Sequence, residues 1–101
     1  MKIAISSEGK DENSKVSQMS GRAPYYLIFE NKKLIKTIKN PFRMGGGGAG
    51  FGVAEMLSEE NVNLVISGKF GGNMVSTLET KGIKSKELSG IMVKEALEKA
   101  E

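Results

Sequence analysis

The chain has 101 residues, 39% hydrophobic and 27% charged, with 15 basic side chains against 12 acidic ones and a net charge of +3. That length suits one domain with its own core, and no apolar run approaches the roughly 20 residues of a membrane-spanning helix, so a soluble protein is expected. There is no cysteine and no histidine, which excludes disulfides, thiolate chemistry, imidazole general bases and the commonest soft-metal ligands together. The basic and acidic residues are interspersed, so a small anionic ligand fits the charge pattern better than a nucleic acid does, and binding of a nucleic acid or a membrane is not expected.

In chain order, Lys2-Ile3-Ala4-Ile5-Ser6 predicts a short buried strand. It gives way to Ser6-Ser7-Glu8 too soon for the apolar stretch of a signal peptide, and the expected compartment is the cytoplasm. A polar, aperiodic loop runs from Ser7 to about Arg22, long for a domain of this size. Tyr25 to Phe29 has the aromatic and β-branched content of a strand, Glu30-Asn31-Lys32-Lys33 makes a turn, and Leu34 to Ile38 returns as the second arm of a hairpin closed by Asn40-Pro41. After the run Gly45-Gly46-Gly47-Gly48-Ala49-Gly50-Phe51-Gly52, the spacing of Val53, Ala54 and Leu57 predicts a helix ending near Glu60-Asn61. Val62 to Ile66 forms the next strand, and Gly68 to Asn73 a second glycine loop. Asn73 is the expected N-cap of a helix carrying Met74, Val75 and Leu78 and closed by Gly82. Ile83 begins a weak strand, and Met92, Val93, Ala96, Leu97 and Ala100 mark a final amphipathic helix.

A hairpin followed by right-handed crossovers predicts one α/β domain over residues 1–101, with a mixed five-stranded sheet in the order 3-2-1-4-5 flanked by three helices. The first, third, fourth and fifth strands then run one way and the second runs against them. Their C-terminal edge collects Ser6 and Ser7, the segment from Asn40 to Gly50, the loop from Gly68 to Asn73, and the returning Gly21-Arg22. Ligands of open α/β sheets favour that edge, where helix N-termini present free amides.

Gly45-x-Gly47-x-x-Gly50 formally satisfies a dinucleotide fingerprint, but the acidic residue expected about 20 positions later is replaced by Gly68-Lys69-Phe70, and no Gly-Lys-Ser/Thr supplies a P-loop. The run remains either an anion-wrapping flap or a connector without a ligand. As a flap, it would act with the second loop and with the cationic Arg22, Arg43 and Lys69. The candidate anion-binding set is Ser6, Ser7, Arg22, Arg43, Gly45, Gly46, Gly47, Gly48, Gly50, Lys69, Phe70, Gly71, Gly72 and Asn73. Met19 and Met44 are the loop-borne methionines whose thioethers are candidates for a soft metal, while Met56, Met74 and Met92 fall at core positions. Lys32, Lys33, Lys36 and Lys39 read as the protected edge of the sheet. No base or metal set stands near Ser6, Ser7, Glu8 and Lys69, so an enzyme is not expected.

Taken together, Met1 to Gly9, Gly21-Arg22-Ala23-Pro24-Tyr25-Tyr26, Asn40-Pro41 with the glycine run, Val65 to Asn73 and Val93 to Leu97 resemble a small stand-alone member of the dinitrogenase iron-molybdenum cofactor biosynthesis family. This is the domain shared by NifX-type proteins and the C-terminal part of NifB-type proteins. The resemblance implies a ribonuclease-H-like fold without nuclease chemistry, since the first strand lacks the carboxylate such nucleases need. It also implies an accessory protein that binds, carries or scaffolds an iron-sulfur or molybdenum-iron-sulfur cluster precursor, with metal-cluster assembly proteins as partners. Members of the family commonly use Cys or His; lacking both, this chain must hold such a cluster non-covalently, as an anion. The alternative is a protein-interaction module in cluster or redox assembly that has lost its ligand.

Overall fold

The computed structural model describes residues 1–44 and 49–100. Its elements are β1 (Lys2–Ser7), β2 (Tyr25–Glu30), β3 (Lys33–Lys39), α1 (Ala49–Glu59), β4 (Leu64–Ser67), α2 (Gly72–Thr80), β5 (Lys84–Glu87) and α3 (Val93–Glu98). The sheet order is β3-β2-β1-β4-β5. β2 is antiparallel to both neighbours, while β1, β4 and β5 are parallel, as the crossover argument requires. The hairpin closes on Asn31 and Lys32, both at positive φ, a two-residue turn whose twist matches that of its strands.

Alternation along the buried strands divides the core between two faces. Ala4, Tyr26, Ile28 and Val65 meet Val53, Leu57, Met74 and Leu78 beneath α1 and α2. Ile3, Ile5, Leu27, Phe29 and Ile66 meet Val93, Ala96 and Leu97 beneath α3. β3 and β5 are exposed edges carrying lysines, among them Lys33, Lys36 and Lys39 on β3. Gly82, at φ +74, ends α2 as expected: its amide donates to Glu79 O and that of Ile83 to Leu78 O. Among the described residues no helix is long and apolar enough to cross a membrane.

Two local expectations are corrected. Gly71, not Asn73, is the N-cap of α2, and no side chain caps this helix. Asn73 lies inside the first turn, where its carbonyl accepts from the Thr77 hydroxyl at 2.8 Å. The long first loop is also less irregular than its composition predicts. Val16 bridges Ser7 and Lys15 bridges Met92, so the segment folds back across the end of the sheet.

That return path rests on Gly68. Its amide donates to Ser17 O at 2.8 Å, and a Cβ there would stand 2.8 Å from both Ser17 O and Gln18 Cα. A Cβ at Gly72 would meet nothing within 4 Å. Gly68→Ala is therefore expected to lower stability by about 1 to 3 kcal/mol, and Gly72→Ala to raise it by about 0.5 to 1 kcal/mol. Urea denaturation checks both, and a wild-type midpoint for Gly68→Ala contradicts the described contact. Tyr26, fully buried, donates from its hydroxyl to Ser20 O at 2.6 Å. Burial pushes its phenol well above the ordinary range, opposed in part by the Ser20 side chain, so the group stays a donor. Tyr26→Phe leaves the Ser20 carbonyl without it and is expected to cost about 1 to 3 kcal/mol in the same measurement.

Candidate functional site

The buried polar side chains among the described residues are Ser6, Ser7, Ser17, Ser20, Asn40 and Ser67. All belong to the C-terminal ends of β1 and β4, to the end of β3, or to the loop that crosses them. Ser6 Oγ donates to Ser67 Oγ at 2.7 Å, and Ser7 Oγ donates to Gly9 O at 2.7 Å. Both expected ligand groups are thus turned inward and committed to the scaffold. Above them Ser17 N–H donates to Ser6 O at 3.0 Å and Ser20 N–H to Lys69 O at 2.9 Å. These bonds fasten the first loop to the second and bring Arg22 and Lys69 to one rim.

A cleft of about 140 Å³ opens between the two loops, lined by Met19, Ser20, Gly21, Arg22, Ala49, Gly50, Lys69, Gly71 and Met74. Gly50 lets the starts of α1 and α2 approach, because a Cβ there would lie 3.2 Å from Met74 Cβ. Two helix N-termini, each the positive end of its dipole, therefore flank the same cleft, and neither first turn carries an acidic residue. α3 differs. The amides of Val93 and Lys94 donate to Ser14 O and Glu12 O, and that of Met92 to Glu95 Oε1.

Two further hollows share this rim. One of about 470 Å³ includes Glu8, Lys15, Gln18, Met19 and Arg22, and one of about 340 Å³ includes Gln18, Met19, Gly68, Lys69 and Ser89. Met19, 52% exposed, borders all three spaces. A larger hollow, about 680 Å³, lies beside Met1, Asn63, Leu64, Lys84 and Lys86 at the N-terminal edge, away from both helix N-termini.

Of the expected site residues, the cleft brings together Arg22, Gly50, Lys69, Gly71 and Met19. Gly72 and Asn73 lie in the exposed first turn of α2 outside its lining. Phe70 turns its ring to the core, and its amide donates to Glu87 Oε2 at 3.4 Å. Arg43 and Met44 are exposed in the turn after β3 and are not among the lining residues. Gly45, Gly46, Gly47 and Gly48 lie outside the described residues. Ala49 and Met74 were absent from the expected set. Their place follows from the start of α1 and from the helix contact at Gly50, neither of which a composition-based reading of the glycine run contains. Among the described residues no group of three or more His, Cys, Asp or Glu is placed to hold a metal ion.

Comparison with known proteins agrees with the resemblance drawn from sequence. The apo form of the orange protein from Desulfovibrio gigas has a similar structure, with a TM-score of 0.91 at 24% identity over 97% of this chain and 84% of that one. A Thermotoga protein provisionally described as NifB is 30% identical over 96% of this chain and 84% of its own, with a TM-score of 0.79. A Methanocaldococcus jannaschii protein provisionally described as a dinitrogenase shares the fold, with a TM-score of 0.64 at 21% identity over 96% and 84% of the two chains. No curated protein matches the chain. The model of the dinitrogenase iron-molybdenum cofactor family matches residues 1–101, and the chain belongs to that family.

Proposed function

We propose that the protein is a non-catalytic accessory that carries an anionic metal-sulfide cluster precursor in the cleft between the two loops. The observation that carries this reading is the meeting of two acid-free helix N-termini with Arg22 and Lys69, in a chain with no cysteine or histidine. Such a site attracts negative charge without ligating the metal through thiolate or imidazole.

Magnitudes narrow the cargo. Two helix termini and two exposed cations contribute on the order of 1 to 4 kcal/mol together, which alone corresponds to about millimolar binding at best. The remainder has to come from apolar contact with Met19 and Ala49, which line the cleft with the buried Met74 behind them. A small, strongly hydrated oxyanion gains little from such walls. A large, polarisable sulfide cluster with a weakly held hydration shell gains more, and the neighbouring hollows along the rim leave room beyond the 140 Å³ of the cleft. Met19 is the thioether placed to touch it. The assembly proteins that load or unload the cluster are the corresponding partners.

Tetrathiomolybdate, an iron-sulfide species and molybdate are the probes. Wild-type protein is expected to acquire charge-transfer absorbance that elutes with it in the first two cases, and molybdate is not expected to compete at equal concentration. Arg22→Ala with Lys69→Ala should weaken retention at least about tenfold at low salt, and raising the salt should weaken wild-type binding. A colourless wild type, or full retention by the double variant, overturns the reading; a colourless wild type that isolates with a stable protein partner favours the interaction module.

A further inference from the structure

Asn40-Pro41 belongs to the segments that carry the family resemblance, yet Asn40 does not line the cleft and is only 4% exposed. Its side-chain amide is fully employed. Nδ2 donates to Gly21 O at 3.1 Å and to Ala23 O at 3.0 Å, and Oδ1 accepts from the Phe42 amide at 2.9 Å. The backbone adds a donation from Asn40 N–H to Pro24 O at 3.0 Å and acceptance from Arg43 N–H at 3.4 Å. Both side-chain donations land on the immediate neighbours of Arg22. Phe42 is anchored in turn, its ring occupying the space a Cβ on Gly52 of α1 would need.

We infer that Asn40 is a positioning residue for the cleft: it clamps the carbonyls on either side of Arg22 and, through Phe42, joins that segment to α1. The clamp stands on geometry alone, whereas its effect on binding rests on the cluster reading above. The chemistry requires an amide. A carboxylate of the same shape can still accept from Phe42 but opposes two carbonyls with a third acceptor, and a hydroxyl has one proton where two are used.

Amide hydrogen exchange and tetrathiomolybdate binding on the full chain test it, using Asn40→Ala, Asn40→Asp, Arg22→Ala and the Arg22→Ala/Asn40→Ala double variant. Asn40→Ala is expected to speed exchange at Ala23 and Phe42 by about tenfold or more, and Asn40→Asp to do so at Ala23 while Phe42 keeps its protection. Binding should fall roughly tenfold for Asn40→Ala when Arg22 is present and less than about twofold when it is absent. Unchanged exchange at both positions overturns the clamp, and Asn40→Asp decides it if Asn40→Ala does not fold. An equal loss of binding in both backgrounds overturns action through Arg22. A wild type that binds no tetrathiomolybdate overturns the cluster reading and Arg22's part in it, while the exchange result still decides the clamp.

Discussion

The backbone of Ser17 is the point on which the rest of the cleft depends. Its N–H donates to Ser6 O at the end of β1, and its carbonyl accepts from Gly68 N–H just beyond the end of β4. The same carbonyl lies 3.4 Å from both Ser6 Oγ and Ser67 Oγ. One residue of a loop thus spans the ends of two parallel strands and satisfies groups that the sheet leaves unpaired. Each such bond is worth only about 1 kcal/mol net, but leaving a buried group unmade costs about 1 to 3 kcal/mol, so alternative paths for the loop are penalised several times over. Arg22 and Lys69 share a rim as a consequence.

The three helices show the same electrostatic problem met in two ways. Every helix starts with amides that lack an intrahelical acceptor. At α3 the first loop supplies them, with Ser14 O and Glu12 O accepting from Val93 and Lys94. At α2 no side chain caps the start, and at α1 and α2 no acidic residue compensates the positive end. The loop that fills the start of α3 goes on to line the open cleft between α1 and α2. The two faces of the sheet, nearly equal in apolar packing, therefore differ in polarity at this edge.

The sheet was legible because its rules are local and repetitive. The aromatic and β-branched content of Tyr25 to Phe29, the apolar run within Val62 to Ile66, a turn at Glu30 to Lys33 and the handedness of crossovers suffice for the strand order, and the lysines of β3 mark an edge. What stayed hidden depends on contacts between segments remote in sequence. Ser6 reads as a ligand group at the end of a strand until Ser17 and Ser67 are seen to cover it. Asn73 has the right chemistry for a cap, but α2 is capped two residues earlier, by Gly71, whose extended conformation fills the role. Asn40 before Pro41 reads as the end of a hairpin, and nothing in that dipeptide announces bonds to Gly21 and Ala23. The side-chain partners of Asn40 are backbone carbonyls and an amide, groups that carry no residue type, so the pattern leaves no compositional trace.

On the proposed reading this arrangement favours carriage over storage. Arg22 and Lys69 are exposed, so their attraction for an anion is screened by salt and carries little desolvation cost in either direction. Affinity built from such terms and from contact with Met19 and Ala49 requires no metal-ligand bond to break on release. The backbone beneath is held by buried hydrogen bonds, which means that binding need not first order the loops on which the cations sit, sparing the entropic cost of closing a flexible site. Stiff scaffolding with weakly interacting side chains therefore allows recognition and exchange in the same cleft, and the stiffness comes from buried serine and asparagine groups hydrogen-bonded within the scaffold.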